Sequence, residues 1–179
     1  AALIPVFSGV VLNPKDEREA SDFVENTTSM LLFATVVLTI IFFFGMPYII
    51  QVLAPGFTDN KEAYELAVHF GKIIFPYIIF ISLAAHFTSI NNVHERFAAG
   101  AFAPAILNIS FILSLFFLTP FVTTAGHALS YGVLIGGVLQ FLYLYRAVLN
   151  FYRPRIRIPI LNEKLKKFFK LFLPGVIGS

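Results

Sequence analysis

The sequence predicts an all-α protein, a polytopic bundle of transmembrane helices, and three observations carry this prediction. Hydrophobic residues make up 58% of the 179-residue chain and charged residues 13%, whereas soluble domains contain about 45 to 50% and about 25%. The few charges are clustered, and the gaps between the clusters have span length, because about 20 apolar residues cross the hydrocarbon core as a helix. The apolar runs do not alternate with polar residues, which excludes a membrane β-barrel.

The charge-free gaps divide the chain into four complete spans within one membrane domain, residues 1–179. No charge lies between Glu25 and Asp59, and the gap that ends at Glu95 carries the run FPYIIFISLAA. The stretch from Phe97 to Tyr145 also lacks charge but is too long for one crossing, and a polar, Pro- and Gly-containing segment divides it. The predicted spans are 27–53, 63–91, 98–121 and 125–146.

The two ends of the chain look like parts of further spans. Residues 1–12 resemble the end of an earlier span, and residues 174–179 resemble the start of a later one. The chain begins with Ala1, and no basic region followed by an apolar core and a small-residue cleavage site is present, so a signal peptide is not expected. We expect the chain to be a piece of a larger bundle.

The basic residues predict the orientation of these spans. Eleven of the thirteen Lys and Arg residues fall in the segments 13–25, 91–97 and 146–170, which share one side of the membrane, while the other side has only Lys61 and Lys72. The positive-inside rule makes the first side cytoplasmic. Residues 161–173 place apolar side chains on one helical face and lysines mostly on the other, which predicts a basic amphipathic helix on the membrane surface. Surface anchoring explains this helix, and gathering of an anionic lipid substrate is the alternative.

Several kinds of chemistry are not supported by the sequence. There is no phosphate-binding G-x-x-x-x-G-K-[ST] loop and no cysteine, and the four histidines fall in different segments. Every acidic residue lies in a loop or at a helix end, which argues against a proton or cation relay within these spans. We therefore expect no metal, no cofactor, no nucleic-acid partner and no enzymatic activity.

Uncharged polar and small residues form one stripe on each of several predicted spans. Those of the second span recur at i, i+4 and i+7, the spacing of one helical face. The stripe of the fourth span includes Gln140, and the stripe residues of the second and third spans are Ser82, His86, Ser89, Pro104 and Asn108. One interpretation is helix packing, in which small residues allow close approach and polar ones supply interhelical hydrogen bonds. The other is the wall of a hydrated substrate cavity, for which these five residues are the candidates.

Prolines interrupt three of the four spans, at Pro47, Pro76 and Pro104. Each removes a backbone donor and tends to kink its helix. Neighbouring groups can satisfy the freed carbonyls. Alternatively, kinked helices enclose a cavity or bend during alternating access. Both interpretations remain open.

Six strings in order along the chain resemble the MurJ (MviN) lipid II flippase family. They are LAPGF, FPYIIFISLAA, the Asn92 to Phe97 pattern Asn-x-x-x-Arg-Phe, AFAPAILNIS, GGVLQ and RPRI. The resemblance covers essentially the whole chain and places it from the end of the second family helix to the start of the seventh, in the N-terminal lobe of a transporter of the MOP superfamily. The family often has Pro where this chain has Gly100, before AFAP.

The resemblance implies transport of lipid II, the undecaprenyl-pyrophosphate-linked peptidoglycan precursor, across the bacterial cytoplasmic membrane by alternating access. Membrane lipids and the remaining helices of the full-length protein are the other implied partners. The essential cavity arginines of the family lie mainly on helices outside this sequence, so they are not transferred. Asn92 and Arg96 are expected to fix the cytoplasmic turn. The alternatives are a drug or cation antiporter or a polysaccharide-lipid exporter of the same superfamily, a polyprenyl-phosphate enzyme, and a helical scaffold.

Overall fold

The computed structural model describes residues 17–57 and 59–157, and all secondary structure in this part of the chain is helical. The expectations for 1–12, 161–173 and 174–179 lie outside these residues. The α-helices are α1 Glu17–Leu53, α2 Lys61–Ile74, α3 Tyr77–Val93, α4 Phe97–Leu118 and α5 Ala125–Val148, and two short 3₁₀ helices are Pro55–Phe57 and Thr119–Phe121.

Four helical stretches are long and apolar enough to cross a membrane, which confirms the predicted fold class. They are Ala20–Leu53, Lys61–Val93, Phe97–Phe121 and Ala125–Val148. Large apolar side chains stand exposed along α1 and α4, as Phe44 and Phe116 show with exposed fractions of 74% and 77%. A soluble protein rarely exposes so much contiguous apolar surface, whereas lipid and further helices would cover it.

Proline divides only one of the four spanning stretches into two helices. Helix α2 ends at Ile74 and α3 begins at Tyr77, because Pro76 has no N–H to continue the α-helical ladder. The turn is closed by short-range bonds, in which the Ile78 N–H donates to the Phe75 carbonyl at 3.0 Å and the Ile79 N–H donates to the Pro76 carbonyl at 3.1 Å. By contrast, α1 and α4 continue through Pro47 and Pro104.

Helix α5 lies at the centre of the described bundle and packs closely on α4 through small residues. The Ser110 hydroxyl donates to the Gly132 carbonyl at 3.0 Å. A Cβ on Gly136 would lie 2.7 Å from Leu107 Cδ1, so a larger residue there would require the Leu107 side chain to move. Small residues permit this close approach of membrane helices, where dispersion and interhelical hydrogen bonds replace the hydrophobic effect.

The segment after α5, residues 149–157, folds back over one end of the bundle, and we call it the strap. Phe151 stacks on His94 with ring centroids 3.9 Å apart and planes 7° from parallel. The Arg157 Nε lies 2.8 Å from a carboxylate oxygen of Glu25, and the Arg157 N–H donates to the Ser29 hydroxyl at 2.9 Å. Residues from the three segments expected on one side of the membrane therefore meet at one end, which we call the basic end.

Candidate functional site

His86, a candidate from the polar stripe, is buried in the contact between α1 and α3. Its Nε2 lies 3.1 Å from the Thr28 hydroxyl and 3.4 Å from the Thr27 hydroxyl. Both hydroxyls donate their only proton to carbonyls of their own helix, at 2.7 and 2.8 Å. A proton on Nε2 would fit these bonds, because both hydroxyls could then accept from the imidazole. The structure thus gives His86 a role in interhelical packing.

Of the other four stripe candidates, Pro104 lines a cleft between α3 and α4. The cleft has a volume of about 270 Å³, and Ala85 and Pro104 line it from opposite sides. Ala85 and Pro104 are both exposed. Ser82 and Ser89 are half-buried on α3, and neither is among the residues that line the cleft. Asn108 follows Pro104 by one turn and is exposed. His86 is one residue after Ala85, about 100° further around the helix, which turns it towards α1.

Gln140 forms the polar floor of this cleft and connects three helices. Its side-chain nitrogen donates to the Ala103 carbonyl on α4 at 2.8 Å. Its side-chain oxygen accepts from the Tyr77 hydroxyl at the start of α3 at 3.4 Å. Gln140 is 3% exposed, so these bonds satisfy a buried amide that would otherwise be costly in the bundle interior. The sequence placed Gln140 on a packing stripe, and the structure supplies its partners.

Asn92 lies in the last turn of α3, and Arg96 directly precedes α4. The Glu95 N–H donates to the Asn92 carbonyl at 3.0 Å, and the Arg96 N–H donates to the Asn91 carbonyl at 2.8 Å. This pair of bonds around a left-handed residue, Glu95 with φ of 57°, is the Schellman ending of a helix. The Arg96 guanidinium lies over the Phe151 ring, 5.0 Å from its centroid. The turn is therefore fixed both by backbone bonds and by the strap.

Sequence reasoning missed two residues of this turn. Asn91 is fully buried, and its amide nitrogen donates to the Phe87 carbonyl at 2.9 Å. His94 stacks against the strap, and burial in the first place, with the charge of Arg96 in the second, lowers its pKa below the ordinary value. No local signal singled out either residue, and His94 stacks on Phe151 of the strap, which is distant in sequence.

Titratable residues are sparse in the described part of the chain. His69 and His127, assigned by sequence to different segments, approach with ring centroids 5.2 Å apart. Among residues 17–57 and 59–157, no three His, Cys, Asp or Glu side chains come close enough to hold a metal ion together. The polar residues that line the cleft, Thr88 and Gln140, are instead neutral hydrogen-bonding groups, suited to contact a polar ligand without reacting with it.

The whole chain, residues 1–179, matches the family model described as Lipid II flippase MurJ. The chain belongs to this family. Its relatives include the lipid II flippase MurJ of Burkholderia cenocepacia, 33% identical over 79% of this chain and 27% of the relative. The probable lipid II flippases MurJ of Rhizobium tropici and Bdellovibrio bacteriovorus are 33% and 30% identical, each over 99% of this chain and 34% of the relative.

Membership in the MurJ family confirms the resemblance carried by the six sequence strings. Together with the four spanning stretches, it makes this chain part of a multi-pass protein of the bacterial inner membrane. The chain spans about a third or less of the length of these MurJ relatives. The cleft between α3 and α4 is therefore one part of the surface that a complete MurJ protein presents.

Proposed function

We propose that this chain forms part of a membrane lobe that moves lipid II across the bacterial cytoplasmic membrane by alternating access, as a transporter and not an enzyme. The observation that carries the proposal is the match of all 179 residues to the MurJ model. The relatives considered above are named as lipid II flippases or probable lipid II flippases. These names support lipid II over the drug, cation and polysaccharide-lipid alternatives.

Within this function, the cleft between α3 and α4 is proposed to be part of the inner wall of the transport cavity. We propose that Ser82, Ser89, Pro104 and Asn108 belong to its rim, of which Pro104 lines the cleft itself, and that His86 supports the wall from behind through the α1 contact. Ser82, Ser89 and Asn108 are uncharged and can form hydrogen bonds with the sugars and peptide of the precursor. Burying its pyrophosphate without cationic partners would be prohibitive. We therefore propose that the cations for the pyrophosphate come from outside this cleft.

Growth of cells depleted of their own lipid II flippase tests the function. The full-length protein that carries this chain is expected to restore growth, and residues 1–179 expressed alone are not. Asn108→Leu in the full-length protein should impair growth because it removes the amide from the rim, whereas Asn108→Ser, which keeps a hydrogen-bonding side chain, should retain most of it. The amount of inserted protein is measured for each variant, so that loss of folding is distinguished from loss of transport.

Two outcomes would contradict the proposal at different points. If the full-length protein is inserted normally but does not restore growth, lipid II is not its substrate. Restored growth by residues 1–179 alone would show that the cationic partners for the pyrophosphate do not lie elsewhere in the protein. Equal growth with Asn108→Leu and the unaltered protein would remove Asn108 from the cavity wall.

A further inference from the structure

A second and larger cavity lies at the basic end, in a groove between the start of α4 and the end of α5. Its volume is about 520 Å³, compared with about 270 Å³ for the cleft between α3 and α4. None of the residues that line the groove lines the cleft. The charged and aromatic residues in the lining are Glu95, Arg96, Phe97, Tyr143 and Arg146.

The groove carries an excess of positive charge. Arg96 and Arg146 contribute two guanidinium groups, one from each side, and Glu95 contributes the single carboxylate. Both arginines are exposed. Arg146 makes no ion pair with any residue in 17–57 or 59–157. The Arg96 guanidinium lies over the Phe151 ring, 5.0 Å from its centroid, and Arg is the residue whose planar fork of donors matches a phosphate group.

The groove also continues into an apolar surface at the boundary between membrane and water. Phe97 is the first residue of one spanning stretch, and the span formed by α5 ends at Val148, close to Arg146. Phe97 is 63% exposed and Tyr143 is 38% exposed. One turn further into the span, Phe102 lies beside Tyr143 with ring centroids 6.3 Å apart. A ligand held by the arginines would therefore have an apolar track alongside it.

We propose that this groove binds the phosphate headgroup of an anionic phospholipid from the cytoplasmic leaflet. Arg96 and Arg146 bind the phosphate, and an acyl chain runs past Tyr143 and Phe102. The excess of positive charge favours an anionic headgroup. The exposed aromatic rings favour a lipid over a free phosphate, because a free phosphate has no apolar part to contact them. The site goes beyond the transport function proposed above and does not depend on it, because it lies outside the α3–α4 cleft.

Native mass spectrometry of the purified full-length protein tests the site, with phosphatidylglycerol and phosphatidylcholine of identical acyl chains as probes. The unaltered protein is expected to retain more phosphatidylglycerol than phosphatidylcholine. The double variant Arg96→Gln/Arg146→Gln should lose affinity for it by roughly fivefold for each arginine removed, since each basic residue near a headgroup contributes on the order of 1 kcal/mol. The matched control Arg153→Gln/Arg155→Gln removes the same charge from exposed strap positions that do not line the groove, and should leave binding unchanged.

Three results would overturn the proposal. The first is equal binding of phosphatidylglycerol by the unaltered protein and the groove variant. The second is an equal loss in the strap control, which would indicate only a general charge effect. The third is displacement of the lipid by millimolar inorganic phosphate, which would make the ligand a soluble anion.

A photocrosslinking variant keeps the proposal testable if the double variant does not fold. Benzoylphenylalanine in place of Phe97, in protein reconstituted with phosphatidylglycerol, is expected to attach to the phospholipid. The same residue in place of Phe57, at the opposite end of the bundle and also exposed, controls for random capture. Attachment from position 97 to protein alone would contradict a lipid in the groove.

Discussion

Glu95 shows how one residue can occupy a backbone conformation that usually belongs to glycine. Its φ of 57° brings the side chain close to the backbone, a strain on the order of 1 kcal/mol for an ordinary residue. The Schellman bonds at Asn92 and Asn91 hold it there. The turn between α3 and α4 thus keeps a charged side chain at the groove, at some cost to the stability of the fold.

Replacing Glu95 by Gly should therefore raise the free energy of unfolding by roughly 0.5 to 1 kcal/mol, since glycine adopts positive φ without strain. Denaturant titration of the purified full-length protein in mild detergent measures the change. The control Glu95→Ala removes the same carboxylate but keeps a Cβ, so it should show no comparable gain. Equal stabilisation by both substitutions would indicate that charge, and not backbone strain, is the cause.

His94 makes the basic end sensitive to pH. Its pKa is lowered by burial and by Arg96, so the folded protein holds the neutral ring while the unfolded chain takes up a proton more readily. Stability from this residue is therefore complete above the unfolded pKa of about 6.5 and decreases as pH falls below it.

The variant His94→Phe can keep the stack on Phe151 and cannot titrate. Thermal unfolding of the unaltered protein and of this variant at pH 7.5 and 5.5 should show a smaller loss of stability at low pH in the variant. An equal loss in both proteins would mean that His94 does not contribute. The comparison between the two proteins cancels the contributions of all other titratable groups.

At the scale of single residues, the sequence predicted which helical face a polar side chain occupies better than it predicted which residues that side chain contacts. The stripe pattern placed His86 and Gln140 on interior faces, because polar groups in a span avoid lipid. It left open whether they pack or line a cavity, since that depends on which helix lies opposite. Thr28, which receives the His86 bond, is 58 residues away, and no spacing rule connects the two.

Among the structural elements, the strap was not foreseen as a packed unit. The sequence indicated a basic link after the last complete span, whereas the structure shows the strap stacked on His94 and paired to α1. The Glu25 side chain is 6% exposed and the Arg157 side chain 53%. The pair therefore combines a nearly buried carboxylate with a guanidinium that is still partly hydrated.

Arg157→Gln should lower the free energy of unfolding by about 1 to 3 kcal/mol, less than for a fully buried pair because Arg157 is half-exposed. The reason is that Glu25 would remain nearly buried without its cation. Arg155→Gln, an exposed neighbour on the same strap, serves as the control and should have little effect. The exchanged pair Glu25→Arg/Arg157→Glu should recover part of the loss, and no recovery would argue against a direct ion pair.

The prolines show a second limit of prediction at this scale. The sequence marked Pro47, Pro76 and Pro104 alike, but only Pro76 separates two helices. Every proline removes one backbone donor. Whether the helix then breaks depends on the neighbouring helices that support it. Those neighbours are set by tertiary packing, so a single sequence cannot rank the three sites.

For the whole molecule, composition and charge spacing were sufficient to predict the architecture. Four spanning stretches are present in the described residues. A lipid environment requires long apolar helices, so the length of each helix can be estimated from the gap between charged residues in the sequence. The basic residues add the orientation. An even number of crossings returns the chain to its starting side, and the strap indeed meets the start of α1 at the basic end.

Cysteine accessibility in intact cells tests this arrangement most directly, and the absence of cysteine from the sequence makes the chain suitable for it. Asp59→Cys and Arg155→Cys, both at exposed positions, are introduced singly into a full-length protein free of other cysteines. An impermeant thiol reagent should label position 59 in intact cells and position 155 only after the membrane is permeabilised. Labelling of position 155 but not of position 59 in intact cells would show that the orientation is the reverse of the predicted one. Labelling of both positions in intact cells would place them on the same side of the membrane and contradict the four crossings.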